Sequence, residues 1–188
     1  MSTGDLQPLL DRARQYDPEA LADIYDQYSP KIYNYIYYRV GDARLAEDLT
    51  ASVFLNVLEA IQSNRAWRTS FSGWLYRIAH NVVVDQFRRR GKLTELPLDE
   101  RLVSMEEDPY KNAELSLEVE GLKRAIRGLT SDQAEVIILK FIEDLTNAEV
   151  AQIMGKTEGA IKSLQYRALA SLRKKLISEE KVVADKRH

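Results

Sequence analysis

The chain has 188 residues, of which 45% are hydrophobic and 30% charged, with a formal net charge of −2; this is enough apolar material for a soluble, cored protein and excludes a disordered polar tail. Eight Gly and five Pro are few for a turn-rich all-β protein, and no apolar run approaches the roughly 18 residues of a membrane span. With no Cys and two His, disulfides, thiolate metal sites and a cysteine nucleophile are excluded and a His-built metal site or triad is disfavoured, so no metal or cofactor, no membrane insertion and a reducing cytoplasmic setting are expected.

In chain order, Asp17 before Pro18 is an N-cap candidate, and Leu21, Ile24, Tyr25 and Tyr28 recur at helical spacing. Ser29-Pro30 reads as a second helix start, followed by Ile32, Tyr33, Ile36, Tyr37 and Val40 up to Gly41. Six Tyr between positions 25 and 38 form an aromatic wall suited to a core. Asp42 caps a third helix with the stripe Leu45, Leu49, Val53, Val57 and Ile61. A loop from Ser63 to Ser70 precedes a helix from about Ser72 to Arg90. The 91–116 segment carries both Pro97 and Pro109 with three basic and seven acidic residues, and reads as a linker of net charge −4. Beyond it, Leu115, Leu117, Val119, Leu122 and Ile126 predict a helix to Gly128; Thr130 or Ser131 caps the next, through Phe141. Two more follow, Asn147–Met154 and Thr157 to about Ile177, with a polar tail expected to fray from Ser178. No period-2 alternation persists. The fold class is therefore all-α: two small helical domains, residues 1–90 and 117–188, joined by the acidic linker 91–116.

Charge is unevenly spread. Residues 64–92 hold seven basic side chains and one acid, and residues 156–176 hold six and one. Two cationic windows suit a polyanion held at two places, and equally two solvated helix faces.

The second window contains a helix-turn-helix pattern. Thr146 or Asn147 caps a short helix, Ala151 is small enough for close helix approach, Gly155 supplies a left-handed turn, and Thr157 caps a second helix. Ile161, Leu164 and Ala168 face inward at i, i+3 and i+7, while Lys162, Ser163, Tyr166 and Arg167 project outward, as required of a helix entering a major groove. In the first window, Arg77, Asn81, Asp85 and Arg88 share one outer helix face, with Ile78, Val82 and Val83 packing inward. Trp67, Phe71, Trp74 and Tyr76 can stack on unpaired bases or, for Phe71 and Trp74, belong to the core.

On AEDLTASVF at 46–54, FSGWLYRIAHNVVVDQFRR at 71–89 and LTNAEVAQIMGKTEGAIKSLQYRALASL at 145–172, the chain resembles the bacterial sigma factor family in its small two-domain extracytoplasmic-function form. The resemblance implies a non-catalytic subunit that binds core RNA polymerase, recognises promoter DNA at two elements and helps open the duplex. It assigns core-polymerase binding to Glu47, Asp48, Leu49, Val53 and Phe54, and −10 DNA binding to Arg77, Asn81, Asp85 and Arg88, with Asn81 holding a flipped base. It gives −35 DNA binding to Thr157, Lys162, Ser163, Tyr166 and Arg167; Arg173, Lys174 and Lys175 are expected to contact phosphates. Many relatives are held inactive by an anti-sigma factor, which is thereby a candidate partner. The chain departs from the family pattern at Ala51-Ser52, where Gln-Glu is common after DLT, at Leu164, where Arg is common, and at Gln165, where an apolar residue is. The implied promoter elements lie roughly 17 base pairs apart, about 58 Å at ~3.4 Å per pair, within the ~86 Å that the extended linker can reach.

Two other classes bear on the same residues. An autonomous dimeric helix-turn-helix regulator accounts for the C-terminal half but not for the 77–88 stripe. An enzyme would need paired carboxylates, a phosphate loop or an activated nucleophile, and none is legible.

Overall fold

A computed structural model describes residues 3–68, 70–93 and 113–185. Among them the elements are helical: α1 (Thr3–Arg14), α2 (Pro18–Val40), α3 (Ala43–Gln62), α4 (Phe71–Leu93), α5 (Ala113–Arg127), α6 (Ser131–Ile137) continuing into a π-helical turn (Ile138–Ile142), α7 (Asn147–Met154) and α8 (Glu158–Asp185). The chain divides into two compact units, residues 1–98 and 99–188. The central part of the acidic linker and the side chains of Leu115 and Leu117 fall outside what is described, and α4 and α5 occupy both ends of the 91–116 stretch.

In the first unit α2 is the spine, packed on α1, α3 and α4. Asp17 caps it, its Oδ1 accepting from the Glu19 N–H at 3.0 Å. The helix does not restart at Ser29-Pro30 but runs through Pro30 as one rod. An interior proline costs about 3 kcal/mol. Here Ile24, Tyr28, Ile32, Tyr35 and Ile36 keep one buried register across it, and burying such side chains is worth roughly 1.5–3 kcal/mol each. Packing therefore overrides the local break. Gly41, at φ 73°, ends the rod, donating its N–H to Tyr37 O, and Asp42 caps α3 by accepting from Leu45 N–H at 2.9 Å.

Helix α1 has no counterpart in the sequence expectations. Leu10 and Ala13 are buried, and Arg14 latches the 63–70 loop: its guanidinium donates to Trp67 O at 2.7 Å and lies over the Trp67 ring at 4.8 Å. At the α1–α2 corner Tyr16 takes a left-handed φ of 62°, and Arg12 Nε donates to Asp17 Oδ2 at 2.6 Å. The hydrogen bond from Arg12 holds the Asp17 carboxyl below its ordinary range, helped by the Glu19 and Ala20 N–H groups. Because the folded value is depressed, the corner's contribution is present above the unfolded value of about 4 and fades as pH falls below it. Asp17→Asn is expected to flatten that acid-side slope in thermal melts between pH 5 and pH 2; an unaltered slope would remove Asp17 from the account.

In the second unit α5, α6 and α7 pack on α8. Thr130 caps α6 and Thr146 caps α7, each with a reciprocal capping box through Gln133 and Glu149. The core comprises Ile126, Val136 to Leu139, Val150, Ile153, Ile161 and Ala168. The helix of α8 continues to Asp185 rather than fraying from Ser178; SEEKVVAD contains no Gly or Pro to stop it.

Candidate nucleic-acid interface

Helix α4 buries Leu75, Tyr76, Ala79 and Val83. Ile78 and Val82, expected inside, are only half-buried; the inward line is the i, i+4, i+8 set of Leu75, Ala79 and Val83. That rotation leaves Arg77, Asn81 and Arg88 exposed with Asp85 half-buried beside them. Arg88 Nη2 pairs with Asp85 Oδ1 at 3.0 Å. Such an exposed pair adds little stability, but it restrains the Arg88 fork, while Arg77 and Asn81 face water. Asn81 therefore stands on an open helix face rather than in a pocket.

The aromatic residues behave differently from the stacking expectation. Trp67, Phe71 and Tyr76 are buried. Trp67 packs edge-on to Phe71 at 4.8 Å and against Trp74 at 5.3 Å, Phe71 meets Tyr28, and Tyr76 meets Tyr35. Trp67, Phe71 and Tyr76 form the floor beneath α4 and its preceding loop, and in this arrangement these three cannot take an extruded base. Among the described residues of this unit the exposed rings are Tyr16, Tyr25 and Phe87, with Trp74 half-buried. Arg39 lies over the Phe87 ring at 5.7 Å, which adds a cation to this edge; it escaped sequence reading because it lies outside the 64–92 charge window.

Helix α3 corrects the docking set. Leu49, Val53 and Phe54 are buried within the unit, Phe54 edge-on to Tyr25 at 4.8 Å, so they present no surface to a partner. Glu47 and Asp48 are exposed, and the apolar group among them is Leu55, 61% exposed. At about 100° per residue, Asp48, Ala51 and Leu55 fall within ~60° of one another on the outer side. The signal for Leu55 was its place off the Leu45–Ile61 stripe.

In the second unit, Gly155 at φ 63° makes the turn between α7 and α8. Thr157 Oγ1 accepts from Ala160 N–H at 3.2 Å and so caps α8. Lys156 pairs with Asp132 at 3.0 Å, fastening the turn to α6. Ile161, Leu164, Ala168 and Leu172 are buried, and Thr157, Lys162, Ser163, Tyr166 and Arg167 are exposed, Tyr166 to 78%. Arg173 and Lys174 are exposed too. Lys175 is not: half-buried, it lays its stem over Gly128. Eleven residues past Leu164, it lies within about 20° of that inward side chain, so it closes the α5 end rather than joining the cationic face.

Two units thus each expose one cationic helix face over an apolar core. The sigma-70 region 2 model matches residues 24–93, and the sigma-70 region 4 model matches residues 120–172. The ECF RNA polymerase sigma factor SigW of Bacillus subtilis is 31% identical over 180 residues, covering 88% of this chain and 93% of SigW. The ECF RNA polymerase sigma factor BldN of Streptomyces coelicolor is 40% identical over 169 residues, 89% of this chain; the match spans 64% of BldN, just under two-thirds of its length. The fold resembles that of the sigma factor RpoE solved with the anti-sigma factor NepR from Bartonella quintana, at a TM-score of 0.70 and 24% identity over 82% of this chain and 95% of that one. The chain belongs to the sigma-70 family, among the ECF RNA polymerase sigma factors.

Proposed function

We propose that this protein directs core RNA polymerase to promoters with −35 and −10 elements and starts transcription there, without catalytic chemistry of its own, in the cytoplasm. The supporting observation is the pair of exposed polar faces, Arg77–Asn81–Asp85–Arg88 on α4 and Lys162–Ser163–Tyr166–Arg167 on α8, in separate units that match regions 2 and 4. Residues 1–90 carry polymerase docking and the −10 contacts, residues 117–188 the −35 contacts, and 91–116 tethers them.

Three steps follow from the side chains. Glu47 and Asp48 pair with basic groups on polymerase while Leu55 fills an apolar depression there. The outer face of α8 reads the −35 groove, with Arg173 and Lys174 holding phosphates. Arg77 and Arg88 steer the −10 strand, and Asn81 hydrogen-bonds a base edge as the duplex opens. Unstacking costs a few kcal/mol per base, offset by these contacts without ATP. RpoE was solved with the anti-sigma factor NepR, and a partner of that anti-sigma kind is proposed for this chain as well.

The test is run-off transcription from genomic fragments with purified core polymerase. Starts at defined sites are expected, and Lys162→Ala with Arg167→Ala should reduce them by roughly 10-fold or more while melting stays unchanged, two groove contacts being worth about 1–3 kcal/mol each. Absence of any defined start with the unaltered chain would overturn the reading.

A further inference from the structure

Two glycines of the second unit sit where a backbone or side-chain feature meets them. Gly155 needs its left-handed φ of 63°, and at Gly128 the flexible end of Lys175 stands where a Cβ would, with Nζ at 2.9 Å, and would have to swing aside. Gly159 has neither: its φ lies outside the left-handed region and a Cβ built there meets nothing within 4 Å. It is exposed in the first turn of α8, where most residues form helix more readily than glycine does. In the isolated protein an alanine would fit and would favour the helix.

Its position supplies the reason. At about 100° per residue, Gly159 falls between Tyr166 and Ser163 on the helical wheel, within ~60° of Lys162. It is thus a side-chain gap in the middle of the outer face, one turn before Lys162, with Arg167 and Arg173 further along that side. We infer that Gly159 marks the closest approach of duplex DNA to the α8 main chain, and that its missing side chain sets how deeply the helix seats. A methyl or longer group there lifts the N-terminal half of α8 out of the groove, so Lys162 and Tyr166 lose reach while the cap, core and charge are untouched. The inference rests on the −35 role given to α8.

The experiment compares Gly159→Ala and Gly159→Gln in the full chain, by thermal melting and by run-off transcription with core polymerase on a promoter the unaltered protein uses. Both substitutions keep the net charge and raise helix preference, so melting should hold or rise. Initiation should fall about 10-fold for Ala and further for Gln, in order of size, as contacts to the groove are stretched. Gln initiating as well as Gly overturns the inference, as does a drop in melting temperature that accounts for the loss, because then the glycine serves the fold. If the unaltered chain starts no transcript, the −35 reading falls and takes this with it; if it does and the variants match it, only the inference falls.

Discussion

Phe54→Ala is expected to lower the melting temperature of the first unit by about 12 °C or more, and Leu55→Glu to leave it almost unchanged. Phe54 is buried against Tyr25; truncating such a ring costs about 3–5 kcal/mol, and each kcal/mol is worth roughly 4–8 °C in a unit of this size. Leu55 is exposed, and surface changes usually stay within about 0.5 kcal/mol. Polymerase binding, followed by anisotropy of the labelled full chain against purified core enzyme, should reverse the contrast. Leu55→Glu loses about 30-fold while folded, as for a central apolar contact of roughly 2 kcal/mol. Phe54→Ala loses binding only in proportion to its unfolded fraction. If Leu55→Glu binds as tightly as the unaltered protein, the outer face of α3 is not the docking surface.

Asn81→Ala should reduce open-complex formation by roughly 5- to 150-fold, as for a base contact of about 1–3 kcal/mol, with no change in melting or polymerase affinity. Asn81 is exposed, beside Arg77 and the Asp85–Arg88 pair, and nothing in the core depends on it. Permanganate reactivity of thymines at −10 reads strand opening directly. Undiminished reactivity would take Asn81 out of the opening step.

Helix ends were the most legible feature, because capping is local chemistry: Asp17, Asp42, Thr146, Gly41 and Gly155 all act where their types and neighbours indicate. The outer faces of α4 and α8 were legible for a related reason, since charged side chains at helical spacing have few ways to be buried. What failed was the assignment of apolar residues to jobs. Leu49, Val53 and Phe54 lie on the periodic stripe, and periodicity specifies a buried face without saying whether a partner or the chain itself covers it. The stacking reading failed for Trp67 and Tyr76, while Phe71 took the core place left open for it; all three pack through contacts with α1 and α2 that no local pattern encodes. Pro30 was misread because a break in propensity is weaker than five side chains in register. Lys175 was counted with its basic neighbours, although its wheel position already sets it beside Leu164.

The Arg14 latch onto Trp67 has a practical bearing on how the molecule can be cut. The region 2 match begins at residue 24, so a fragment trimmed to that limit discards α1 and the guanidinium that pins the loop ahead of α4. Trp67, one of only two indoles in the chain, would lose its lid and become wetted. Its emission should then shift to the red, giving a built-in optical gauge of whether any shortened version still holds its first unit in folded shape.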